Sequence, residues 1–124
     1  MARILRKAIV IINEQHSLFP EQKEILNKEF DSWSFIPVPA EGWTLDEMKK
    51  KMEEWSFLMF KDEVNVFVFA SPIPVLIKHM TEISYNTFHG KSSVKVFHND
   101  HREKKELPSG KIIQTVSATG WQLI

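Results

Sequence analysis

Ala8, Ile9, Val10, Ile11 and Ile12 form an unbroken apolar run dominated by β-branched side chains. Such a run suits a strand covered on both faces; a half-exposed strand would alternate. Five mostly polar residues follow, Asn13, Glu14, Gln15, His16 and Ser17. Then comes Pro20, whose fixed φ and missing N–H suit the first turn of a helix. In open α/β sheets ligands bind beyond the carboxyl ends of the strands. The loop over 13–17 is therefore expected to hold part of a functional site.

The same alternation continues down the chain. A helix is predicted over 20–30, with Ile25, Leu26 and Phe30 facing inward and Gln22, Lys23 and Glu24 mostly outward. Phe19 precedes it and cannot cap through its side chain, so either Ser17 caps a turn earlier or the first N–H groups stay open for a ligand. A strand over 32–38 carries Trp33, Phe35, Ile36 and Val38, and Pro37 and Pro39 mark it as short or near an edge. Thr44 and Glu47 form a capping box at the start of a second helix. Its inward stripe is Leu45, Met48, Met52, Trp55 and Leu58, and Lys49, Lys50 and Lys51 lie on a solvated face.

Residues 64–70 read as a third, central strand. Ser71 is expected to cap a third helix with Pro72 and Pro74 in its first turn, and Ile73, Leu76, Ile77, Met80 and Ile83 as its buried face. That helix should end near Asn86, with a turn over 88–92 and a fourth strand over 94–98. Residues 102–117 read as a β-hairpin turning at Pro108, Ser109 and Gly110, with a final extended piece over 120–124. The order predicts an α/β domain spanning 1–124, with a mainly parallel sheet, helices on both faces and a C-terminal hairpin.

Charge and composition narrow the function. Lys plus Arg and Asp plus Glu balance at 16 each, which argues against a protein that coats long DNA or RNA. The same balance offers little repulsion against a second copy, so a homodimer is expected. With no cysteine, disulfides and thiolate metal sites are excluded. Arg3, Arg6 and Lys7 precede an apolar run of only five residues, and Asn13 and Glu14 follow without a small-residue cleavage site. That favours a first strand over a signal peptide, and with no membrane-length run a cytoplasmic location is expected. No GxGxxG, Walker, HExxH or GxSxG motif occurs, and no cofactor is expected.

In a wound sheet the loops over 13–17, 39–43, 70–72 and 98–102 should meet on one rim. That rim would carry Asn13, Glu14, Gln15, His16, Ser17, Ser71, His98, Asn99, His101 and Arg102. Imidazoles, amides, a hydroxyl, a guanidinium and two helix N-termini suit phosphate oxygens. Each residue has a plainer role open to it. His16 could pack against the first helix, Ser71 could simply cap, and Arg102 could pair with Glu103 or Glu106. Trp43 and Trp121 read as packing residues. His98, Asp100 and His101 make a weak metal set off a helix, and no metal is expected.

A short strand followed by His16, Ser17, Leu18, Phe19, Pro20, Glu21 and Gln22 resembles the His-x-Leu-x-x-Glu-Gln segment of small stand-alone proteins linked to type III CRISPR systems. These are relatives of the CRISPR-associated Rossmann-fold (CARF) domains. The charged hairpin from Glu103 through Pro108 and Gly110 to Lys111 is similar to theirs as well. The resemblance implies a Rossmann-like three-layer sandwich, a homodimer, and a cyclic oligoadenylate, cyclic tetra-adenylate first, bound at the carboxyl-end rim. It further implies a ring nuclease that cleaves this messenger without a metal and switches off antiviral signalling. His16, Ser71 and His98 would be catalytic, His16 being the preferred general base or acid, because imidazole exchanges protons near neutral pH. Asn13, Ser71 and Arg102 would contact phosphates, with Glu14, Gln15, Ser17, Asn99 and His101 completing the ligand site. A non-catalytic nucleotide binder and a structural subunit are the alternatives.

Overall fold

The apolar run is the interior of a sheet. The computed structural model describes residues 6–59, 64–87 and 94–124; the turn expected over 88–92 and the basic start at Arg3 lie outside them. The elements are β1 (Arg6–Asn13), α1 (Pro20–Glu29), β2 (Ser32–Val38), α2 (Leu45–Met59), β3 (Val64–Phe69) and α3 (Pro74–Thr87). After these come β4 (Val94–Asn99), β5 (Arg102–Glu106), β6 (Ile112–Val116) and β7 (Trp121–Leu123). Strand order in the main sheet is β2-β1-β3-β4-β7. The β1–β2, β1–β3 and β3–β4 pairs are parallel, and β7 closes the far edge antiparallel to β4. The hairpin stands apart as a two-stranded β5–β6 ribbon.

Side-chain alternation on the inner strands sorts the core into two layers. Ile9, Ile11, Phe67 and Phe69 meet Met52 and Trp55 of α2 and Leu76 and Met80 of α3. Ala8, Val10, Ile12, Val66 and Val68 point the other way and meet Leu26 and Phe30 at α1. Helices therefore cover both faces, which is why residues 8–12 and 66–69 carry no polar side chain. Trp55 stacks on Phe67 with centroids 5.4 Å apart, seating α2 on β3. Burying each such aromatic or leucine side chain contributes roughly 1.5–3 kcal/mol. As the two prolines predict, β2 is an edge strand. No helix among the described residues is long and apolar enough to cross a membrane.

The expectations for Gln22, Ser17 and Ser71 are corrected, and those for the C-terminal piece and the capping box stand. Gln22, expected outside, is buried, and its side-chain oxygen accepts the Phe19 N–H at 2.8 Å. The amide thus reaches back from the third helical residue to satisfy the backbone where Phe19 cannot cap, and Ser17 does not cap α1. Ser71 does not cap α3, which starts at Pro74 and leaves Pro72 ahead of its first turn. The extended C-terminal piece is a true strand: Val96 and Ile124 exchange both backbone bonds, at 2.8 and 2.9 Å, beside the β4–β7 pairs. The capping box stands as read, with Thr44 Oγ1 accepting the Glu47 N–H at 3.2 Å and Glu47 Oε1 accepting the Thr44 N–H at 3.4 Å.

Candidate functional site

The carboxyl ends of β1, β2 and β3 are tied together by their own loops. The N–H groups of Ala70 and Ser71 both donate to the Ile11 carbonyl, at 2.9 and 3.2 Å. Ser71 Oγ in turn accepts the Asn13 N–H at 2.8 Å. Asn13 Oδ1 accepts the Gln15 N–H at 2.9 Å, and the Asn13 carbonyl accepts the His16 N–H at 2.9 Å. This tight turn presents His16 at the rim, its imidazole without a hydrogen-bond partner among the described residues. Glu14 fastens the neighbouring loop: its N–H donates to Val38 O at 2.8 Å, and its Oε1 accepts the Ala40 N–H at 3.0 Å.

Ser71 and Pro72 form a shared wall between three cavities on this rim. One, of about 420 Å³, is bounded by Gln15, His16, Ser17, Phe19 and Trp121. The second, also about 420 Å³, is bounded by His98, Asn99, Arg102, Val116 and Trp121. The third, of about 470 Å³, adds Asn13, Trp43 and Met48 to the His16 side. Glu14 faces a smaller adjoining cavity of about 340 Å³ with Lys23 and Phe35. The expected convergence of the loops after β1, β2, β3 and β4 is thus present, with His16 and His98 in adjoining cavities.

The residues after β4 differ in how free they are. Asn99 is buried and fully engaged. Its Nδ2 donates to the carbonyls of Ser117 (3.2 Å) and Thr119 (2.9 Å), and its Oδ1 accepts the N–H groups of His101 (3.1 Å) and Ser117 (3.4 Å). Its amide builds the wall of the second cavity instead of reaching into it. His98 Nε2 lies 3.0 Å from Asp100 Oδ1 in an exposed pair. His101 stands outside these cavities, its ring against Gly120. Arg102 is exposed and forms no ion pair with another described residue, so its guanidinium is available to a ligand. Among the described residues no group of His, Asp and Glu is arranged to hold a metal ion.

Sequence reasoning missed Phe19, Val116 and Trp121 as lining residues. Trp121 stacks on Phe19 (centroids 5.7 Å apart) and meets Phe97 edge-on (6.1 Å). Its backbone N–H donates to Glu21 Oε1 at 2.6 Å, while its buried indole Nε1 has no partner among the described residues. The signal that could have found it is the β4–β7 pairing, which a three-residue strand does not announce. The site offers a guanidinium, an imidazole, and a Ser71 hydroxyl whose own proton has no acceptor among the described residues, above parallel strand ends. No protein-family model, curated protein or solved structure matches this chain.

Proposed function

We propose that this chain is a Rossmann-like ring nuclease that binds a cyclic oligoadenylate at the carboxyl-end rim and cleaves it, ending type III CRISPR signalling. The carrying observation is that His16, Ser71 and Arg102 border adjoining cavities with one common wall. In this reading Arg102 and the Ser71 hydroxyl hold phosphate oxygens and stabilise the charge that builds on phosphorus. A ribose 2′-oxygen attacks the neighbouring phosphate, and its proton passes to an imidazole, His16 first. The P–O5′ bond breaks, the 5′-oxygen takes up a proton, and a 2′,3′-cyclic phosphate results. Holding the nucleotide in line supplies much of the rate through effective molarity.

The unpartnered His16 imidazole favours a second reading, a binder without cleavage, because no described group orients the ring. Incubation of pure protein with cyclic tetra-adenylate, with products resolved by chromatography, separates the two. The nuclease reading expects linear products ending in a cyclic phosphate, lost in His16→Ala and reduced in Arg102→Ala. An intact ring together with a raised melting temperature supports the binder. An intact ring with no thermal shift from any cyclic or linear oligoadenylate removes both and leaves a structural subunit.

A further inference from the structure

Among the described residues, the β5–β6 ribbon leaves one edge of β6 unpaired. The Leu107 N–H donates to Lys111 O at 2.8 Å and the Ser117 N–H donates to His101 O at 3.4 Å, bounding a ladder that pairs Arg102 with Val116 and Glu106 with Ile112. Bonded and non-bonded pairs alternate along an antiparallel ladder. Ile113 and Thr115 therefore turn their backbone groups toward β5, and Ile112, Gln114 and Val116 turn theirs outward. No described residue meets those outward groups. The same three side chains share one face, on which Ile112 is 64% and Val116 37% exposed. The two edges of the ribbon also differ in chemistry. β5 reads Arg, Glu, Lys, Lys, Glu, a charged edge of the kind that discourages pairing. β6 reads Ile, Ile, Gln, Thr, Val, uncharged and mostly β-branched, with no described residue hydrogen-bonded along its outer edge.

We propose that β6 pairs antiparallel with β6 of a second copy of this chain, about a two-fold axis at Gln114. Ile112 then lies opposite the partner's Val116, and Gln114 opposite the partner's Gln114. These are the residues whose backbone groups already point outward, so each pair exchanges both bonds. The two exposed apolar side chains cover one another, and an uncharged amide pair sits on the axis. A register displaced by two residues leaves Ile112 or Val116 without a β-branched opposite. Pairing through β5 about Lys104 instead would set that lysine against its own copy on the axis and bury charged side chains along the whole edge, the arrangement that discourages strand pairing. The balanced net charge adds no long-range repulsion between copies. Because Val116 also borders the cavity that holds Arg102, Ile112 of the partner subunit would extend that cavity's wall. Each rim would then be built from two chains, whatever it binds.

Sedimentation of the full chain tests this without any ligand. The wild type is expected at twice its 14.5 kDa mass, and Gln114→Pro at the single mass. The Gln114 N–H lies outside the β5 ladder, so the proline removes no bond within the hairpin. I112K/V116K opposes like charges across the axis and is expected to be monomeric. I112K/V116E opposes unlike charges and is expected to recover the dimer, a rescue that a merely misfolded hairpin does not give. In a chain with no cysteine of its own, Gln114→Cys is expected to cross-link to a covalent dimer on mild oxidation. A wild-type monomer at the highest attainable concentration, a dimer that survives Gln114→Pro or I112K/V116K, or no recovery in I112K/V116E each overturns the proposal.

Discussion

Ser71 Oγ accepts the backbone N–H of Asn13 at 2.8 Å, joining the ends of β1 and β3 across 58 residues of chain. Ser71→Ala leaves that partly buried N–H without a partner. The expected loss is about 1–2 kcal/mol of unfolding free energy, measured by urea titration. A loss within error would mean that the hydroxyl does not organise the rim. If Ser71 also holds phosphate, the variant loses cleavage by a larger factor than its lowered stability explains.

Asn99 should be among the costliest polar positions in the chain. Asn99→Ala removes two donations and two acceptances inside the wall, an expected loss of about 2–3 kcal/mol. Asn99→Asp keeps the acceptors, loses both donations and brings a charge into a buried position. It should therefore fall at least as far as the alanine variant at neutral pH. An aspartate variant as stable as the wild type would show that Ser117 and Thr119 do not depend on the amide.

Gly120 and Gly110 make a matched pair. Both hold left-handed backbone, at φ +84° and +86°, where a side chain costs about 1–2 kcal/mol. A Cβ on Gly110 meets no described residue within 4 Å, whereas one on Gly120 comes within 2.9 Å of His101 Nδ1. Gly120→Ala should thus be the more destabilising in thermal melts, and adding His101→Ala should return it to the level of Gly110→Ala. Equal losses for the two single variants would place the whole cost in the backbone.

Helix residues of similar character should split by burial. Leu76 of α3 is fully buried between the sheet and α2, and Leu76→Ala is expected to cost about 2–5 kcal/mol. Phe57 of α2 is 74% exposed, and Phe57→Ala should stay within about 0.5 kcal/mol of the wild type. Chemical denaturation of both variants makes the comparison.

Much of this architecture is legible in residue pattern. The run from Ala8 to Ile12, the capping box at Thr44 and Glu47, and the prolines at 37 and 39 placed β1, the start of α2 and the β2 edge, because each acts through its immediate neighbours. What stayed hidden depends on distant partners. Ser71 has the chemistry of a helix cap, yet its hydroxyl serves Asn13. Gln22 looks like a surface residue, yet its amide answers a phenylalanine that cannot cap. Trp121 sits in a strand too short to show a period, and only the approach of Phe19 and Phe97 assigns its place. His16, Ser71 and Arg102 share a rim because strand order alone brings their loops together. Asn99 read as a ligand contact because sequence does not reveal that its amide is already engaged.

The bond from the Trp121 backbone to Glu21 closes a span of 100 residues. Closing so long a loop costs entropy that only the finished sheet can offset. The wall between α1 and β7 is therefore expected to form after the strands on either side of β1 have aligned. A molecule that occupies the rim has nothing to grip before that moment. Its presence should slow unfolding while leaving the refolding rate nearly unchanged.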